Sequence, residues 1–209
     1  MSPGLRYFLI FTLLIPTIGS AADAAAGKAL YAPCITCHGA NGEGNTAVAS
    51  PAIAGQSEDY LVRQLRNFNS GLRGTNPEDT GGAQMRPMAA TLADDAAIES
   101  VVAYIASLDT PPAPAATLSG DAGSGAKFYV SRCGACHGGK GEGNDALFAP
   151  RLTTLRDSYI VQQVELFRSG TRGAHPDDKY GQQMAIMAKV VTDRELNDIV
   201  AFLNELAQQ

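Results

Sequence analysis

The sequence predicts an all-α protein made of two tandem domains of one fold, each with about three helices. Three observations carry that expectation. The chain repeats itself: Cys34 and Cys133 differ by 99 positions, and the same offset carries His38 to His137, Pro51 to Pro150, Tyr60 to Tyr159, Gln64 to Gln163, Phe68 to Phe167, Arg73 to Arg172, Met85 to Met184 and Met88 to Met187 without a gap. Self-similarity at a fixed offset is the mark of a duplicated structural unit. Apolar residues in each copy recur at helical spacing, and no stretch of useful length alternates as a strand does.

Residues 1–22 read as a secretory signal peptide. Arg6 precedes an uncharged, mostly apolar run from Tyr7 to Ile18, and the small residues Gly19, Ser20, Ala21 and Ala22 follow. The run has 12 residues, whereas a membrane-spanning helix needs roughly 20, so a leader cleaved near Ala21 or Ala22 is expected rather than an anchor. The first domain then covers residues 23–108, a proline-rich linker 109–123, and the second domain 124–209.

Within each domain a first helix starts near Ala24 or Ser124 and runs into the cysteine phrase. A second follows Ser57 or Asp157; Leu61, Leu65, Phe68 and Ile160, Val164, Phe167 fall at i, i+4, i+7 before Gly71 and Gly170 stop it. A third carries Ile98, Val101, Val102, Ile105, Leu108 in one copy and Leu196, Ile199, Val200, Leu203, Leu206 in the other. Thr192 and Glu195 form a capping box for the second copy, where the first has Ala93 and Ala96. Outside the central span the offset becomes 98, pairing Gly27 with Gly125, Tyr31 with Tyr129 and Tyr104 with Phe202. These residues are expected to let the first helix cross the third closely. Between the copies, "DTPPAPAATLSGDAG" reads as an extended linker.

Charge narrows the partners. Without Arg6 the chain has 15 basic and 21 acidic side chains, which argues against nucleic acid, whose binding needs clustered Lys and Arg. The acid is unevenly shared: residues 23–116 carry a net −5 and residues 117–209 a net −1. Such a dipole orients encounters with a basic partner. Each domain is small enough that one apolar core supplies little net stability, and the glycine-rich loop from Gly39 to Gln56 adds nothing periodic to it.

All four cysteines lie in two copies of one phrase, "CITCH" and "CGACH". The C-x-x-C-H spacing is that of c-type haem attachment: two thiols one helical turn apart reach the two vinyl groups on a porphyrin edge, and the next residue lies under the iron. Cys34, Cys37, Cys133 and Cys136 are then the thioether positions and His38 and His137 the proximal ligands of two covalently attached haem c groups. A disulfide within each phrase explains neither the histidine nor its repetition, a thioredoxin-like pair needs a βαβ context, and a closed zinc site needs four ligands where each copy offers three. For the sixth ligand, every methionine after Met1 lies in "MRPM" or "MAIM". Met85 and Met184 compete with Met88 and Met187 for iron, and one of each pair is expected to pack instead. The carbonyls of Pro51 and Pro150, each 13 residues after a proximal histidine, are candidates to accept its Nδ1 proton. Arg73 and Arg172 either pair with haem propionates or stand solvated beside a glycine turn. His175 matches Asn76 in the first copy, which favours a surface role.

The residues resemble the class I cytochrome c family, and more closely its two-haem cytochrome c-four type. The resemblance covers Asp23 to Gln209 and rests on CITCH, PAIAGQ, QLRNFNSGLRG, MRPMAATL and VVAYIASL, answered by CGACH, APRL, QVELFRSGTRG, MAIMAKVV and IVAFLNEL. It implies two class I cytochrome c domains, each wrapped around one covalent haem with His/Met ligation, and points to Met85 and Met184 as the sulfur ligands. It further implies a periplasmic electron carrier working with redox proteins such as a terminal oxidase, a dehydrogenase or a quinol-oxidising complex. The other expectations are a subunit of a larger oxidoreductase, or a haem enzyme such as a peroxidase or thiosulfate dehydrogenase.

Overall fold

Asp23 and Asp121 open the two halves alike: each has extended backbone, and its carboxylate accepts from the backbone N–H of Ala25 or Ser124, an amide at the helix start with no intrahelical partner. The computed structural model describes residues 23–209; the expected leader lies outside these residues. Among them are ten α-helices. In the first domain they are α1 (Ala24–Tyr31), α2 (Ile35–His38), α3 (Glu58–Ser70), α4 (Thr80–Ala89) and α5 (Asp95–Ala106). The second repeats them as α6 (Ala122–Arg132), α7 (Gly134–His137), α8 (Asp157–Ser169), α9 (Lys179–Lys189) and α10 (Asp193–Ala207). No strand forms among the described residues beyond two isolated bridges, Asn45 with Ser50 and Asn144 with Ala149. No described helix is long and apolar enough to cross a membrane.

The first and last helices of each domain cross with almost no gap. A Cβ built on Gly27 would stand 1.9 Å from the Ser100 carbonyl oxygen, and one on Gly125 1.9 Å from that of Asp198. Only glycine fits such an approach. Beside the crossings, the Tyr31 and Tyr104 rings lie 5.3 Å apart and those of Tyr129 and Phe202 5.6 Å, within the range of favourable tilted aromatic pairs. The apolar stripes expected for the third helix are buried in both copies, from Ile98 to Ile105 and from Leu196 to Leu203. The Thr192–Glu195 capping box is formed.

The structure departs from the sequence reading in three places. The three long helices of each domain are there, but α4 and α9, which carry the methionines, are additional. Gly81, Gly82 and Pro87 in one and Gly181 in the other weaken their helical signal, and tertiary contacts supply what propensity does not. Asp79 and Asp178 cap them through the N–H of Gly82 and Gly181. Gly74 and Gly173, both in the left-handed region, press against the Gly82 and Gly181 backbone. Next, α6 takes in Ala122 and Gly123 from the segment expected as linker, because Asp121 is its cap. Finally, Asp157 does not precede α8 but is its first residue. Its carboxylate accepts from Thr117 and from the Leu118 N–H at 2.9 Å, pinning the linker to the second domain.

The two domains meet through polar side chains related by the repeat. Arg73 donates to Gln64 and, at 3.1 Å, to Gln163 of the other domain; Arg172 donates to Gln163 and, at 3.0 Å, to Gln64. Further bonds lack a counterpart: the Gln56 amide clamps the Arg151 backbone at 2.8 and 3.0 Å, and Arg156 donates to the Ser50 carbonyl at 2.6 Å.

Candidate functional site

The two cysteine phrases fold into single helical turns, α2 and α7, which end on His38 and His137. Gly39 and Gly138 then turn the chain with φ of 81° and 82°, a conformation that suits glycine. The carbonyls of these two glycines accept the hydroxyls of Tyr31 and Tyr129, each at 2.7 Å. The ends of α1 and α6 therefore fix the turn that follows each histidine.

Each histidine is 6 % exposed and held by one hydrogen bond. His38 Nδ1 lies 2.9 Å from the Pro51 carbonyl and His137 Nδ1 3.0 Å from that of Pro150. A carbonyl only accepts, so Nδ1 carries the proton and Nε2 keeps its lone pair. Burial lowers both imidazole pKa values against the raising effect of the carbonyl, which favours the neutral, ligating form. The proline carbonyls thus take the role expected of them.

No disulfide joins the four cysteines. Burial pushes Cys133 up to about 11 and Cys34 in the same direction, unlike the depressed pKa of a reactive thiol redox pair. Among the described residues no three His, Cys, Asp or Glu side chains converge on a metal-binding point, so the zinc geometry is not formed.

In the second domain Cys133, Cys136, His137, Met184 and Met187 all line one cavity of about 190 Å³. Its walls include Leu152, Ile160, Phe167, Ile199 and Leu203. A cavity so lined, with two thiols, an imidazole and the α9 methionines among mostly apolar walls, suits a covalent porphyrin. In the first domain Met85 is half-buried and Met88 is 36 % exposed. Arg73 and Arg172, at 8 % and 9 % exposure, are not solvated. They lie side by side at the domain junction, where burial and then the Arg73 charge lower the Arg172 pKa. Arg73 Nε is buried with no hydrogen-bond partner, a donor suited to a carboxylate such as a haem propionate. His175 is exposed and accepts from the Asp177 N–H at 3.2 Å within its own turn.

The profile of the cytochrome c family matches residues 24–109 and again 122–207. The chain belongs to the cytochrome c family. This cytochrome is 30 % identical to a cytochrome c4 of Azotobacter vinelandii over 95 % of its own length and 96 % of the relative's. It is 32 % identical to a "thiosulfate dehydrogenase electron acceptor" of Stutzerimonas stutzeri (strain A1501), over 90 % and 89 %. Its fold is similar to that of the reduced recombinant cytochrome c4 from Pseudomonas stutzeri, with a TM-score of 0.68, 25 % identity and coverage of 88 % of this chain and 98 % of that one. A thiosulfate dehydrogenase (TsdBA) from Marichromatium purpuratum gives a TM-score of 0.69 at 26 % identity; there the match covers 87 % of this chain but 40 % of the other. The protein is a dihaem class I c-type cytochrome with two covalently bound haem c groups and the character of an electron carrier. Sequence reasoning missed the cross-domain contacts of Arg63, Asn67 and Gln56, whose only trace is that each is replaced in the second copy, by Gln162, Leu166 and Leu155.

Proposed function

We propose that this cytochrome is a periplasmic one-electron carrier, taking electrons from a dehydrogenase and passing them toward a terminal oxidase. Cys34 and Cys37 hold the first haem and Cys133 and Cys136 the second; His38 with Met85, and His137 with Met184, grip the two irons. When bound, haem iron supplies a ferrous/ferric couple whose potential methionine ligation raises. The chain's own residues keep that couple closed. Pro51 and Pro150 orient the imidazoles and raise their basicity, α4 and α9 present sulfur, and Arg73 and Arg172 pair with propionates where the domains meet. The observation that carries this reading is the pair of buried, singly bonded imidazoles, each left with a free Nε2, in two repeats that share the methionine spacing. Export to the periplasm is supported by the leader reading of residues 1–22.

A redox titration followed by absorption spectra tests the proposal. Two low-spin haems per chain are expected, with a methionine-to-iron charge-transfer band in the ferric state that Met85→Ala and Met184→Ala each halve. A high-spin ferric iron in the native protein, or a band unmoved by these substitutions, overturns the assigned ligation.

A second reading concerns the donor. Relatives named as electron acceptors of a thiosulfate dehydrogenase, and the likeness to part of a longer thiosulfate dehydrogenase chain, favour docking on a thiosulfate-oxidising enzyme. Thiosulfate alone is then expected to leave the ferric cytochrome oxidised, and addition of the dehydrogenase to reduce it.

A further inference from the structure

The first domain braces the methionine helix of the second; in the other direction the second domain offers only the Thr171 hydroxyl, which donates at 3.4 Å in an exposed bond to Glu78, one residue before the α4 cap. Asp178, 5 % exposed, caps α9 by accepting the Gly181 N–H at 3.0 Å. The same Oδ1 atom accepts from Asn67 Nδ2 at 3.4 Å and lies 4.0 Å from Arg63 Nη1, both from α3 of the first domain. Arg63 also donates to the Phe148 carbonyl at 3.0 Å, and its guanidinium sits 4.9 Å from the centre of the Tyr180 ring, the second residue of α9. Tyr180 in turn packs on Phe148, ring centres 5.0 Å apart. The cap and first turn of α9 are therefore held by an ion pair, an amide and a stacked cation from the neighbouring domain.

At the repeat-related place none of this exists. Arg63 and Asn67 correspond to Gln162 and Leu166, and Phe148 and Tyr180 to Ala49 and Gly81. Asp79, the cap of α4, accepts the Gly82 N–H at 2.8 Å, but its Oδ2 is buried without a partner. The α4 helix further contains two adjacent glycines and Pro87, each unfavourable in a helix.

We propose that Arg63 and Asn67 are positioning residues for the second haem's methionine, making Met184 the firmly held ligand and Met85 the one that yields to an incoming ligand. The inference rests on the His/Met ligation proposed above. It makes the two irons unequal: the first is the one a small nitrogen donor enters. The half-buried Arg63 charge, which lines the second cleft, also favours the ferrous over the ferric state there, so it holds the second potential up.

Imidazole titrated into the ferric protein, with the methionine-to-iron band as the signal, tests this. The band in the untreated protein reports on the ligation itself, so its absence refutes the ligation and not the brace. In the wild type two phases are expected, and Met85→His, whose first iron carries a side-chain imidazole, retains only the tighter-held one, assigning it to the second haem. The double variant Arg63→Gln/Asn67→Leu takes the residues found at the matching positions of the other domain. It is expected to lower the imidazole midpoint of the second phase roughly ten-fold, the scale of one charged hydrogen bond, to leave the first phase in place, and to lower the second haem's potential. Arg63→Lys keeps the charge and retains the higher second potential. If the double variant loses haem, Asn67→Leu alone reads the same phase. Two irons titrating together in the wild type, or a second phase unmoved by the variants, overturns the proposal.

Discussion

At the scale of single residues, the proposed haem sites are set by groups that have one acceptable neighbour each. His38 and His137 meet a proline carbonyl, which removes the choice of tautomer. Gly27 and Gly125 meet a backbone carbonyl at a distance no side chain tolerates. Gly125→Ala is expected to force α6 away from α10 and to destabilise the protein by about 1–3 kcal/mol, the usual cost of overpacking. Thermal unfolding of the holoprotein measures it, and an unchanged transition would show that the helices part without cost. The glycines, histidines and prolines were legible because the repeat writes each of them twice. Arg73 and Arg172 were legible as a pair but not as interface residues, since a sequence does not say that the turns following α3 and α8 meet the other domain.

At the scale of elements, the long amphipathic helices announced themselves and the methionine helices did not. The α3 stripe from Leu61 to Phe68 follows the helical period over about two turns and the α10 stripe from Leu196 to Leu206 over about three, a signal that local glycines do not dilute. In α4, Gly81, Gly82 and Pro87 leave too few helix formers for a propensity argument, and the helix exists because Asp79 caps it and the Gly74 backbone packs on it. The linker shows the same dependence on a distant partner. Burial alone would raise the Asp157 pKa, but the backbone N–H groups of Thr117 and Leu118 outweigh it and hold the carboxyl below its ordinary range. A depressed folded value means that the stability Asp157 contributes is present above the unfolded carboxylate pKa of about 3.9 and is lost as pH falls through the folded value. The stability gap between wild type and Asp157→Asn is therefore expected to be constant near neutral pH and to narrow below about pH 4. Acid denaturation curves of the two proteins check this; a gap that widens on acidification would reverse the sign of the argument.

At the scale of the whole molecule, near-symmetry and its violations divide the labour. Gln64, Arg73, Gln163 and Arg172 form a junction that obeys the repeat, whereas Gln56, Arg63, Asn67 and Arg156 make contacts that it does not. Residues 53–56 read "IAGQ" where the second copy has "LTTL" at 152–155, and that difference is part of this. Gln56 spends its amide on the Arg151 backbone and on Thr154, and the repeat-related Leu155 packs in its own core instead. Charge is unequal too, with a net −5 over residues 23–116 against −1 over residues 117–209. If the first domain is the docking face for a basic partner, the association rate should fall steeply as salt shortens the screening length from about 10 Å at 0.1 M to about 3 Å at 1 M. Stopped-flow electron transfer across that range measures it, and a flat dependence would remove charge from the encounter.

The sequence by itself determined the duplication, the helical class, the thiols and imidazoles proposed to hold two haems and the shortlist of methionines, because covalent attachment requires a fixed spacing and a repeated spacing is hard to obtain otherwise. Only the tertiary structure decided that the methionines ride on helices of their own, that the paired arginines are buried where the domains join, and that one domain steadies the other's α9. The last two depend on polar groups brought together from positions about ninety to one hundred and ten residues apart, and a backbone amide or carbonyl that completes them carries no mark in the sequence.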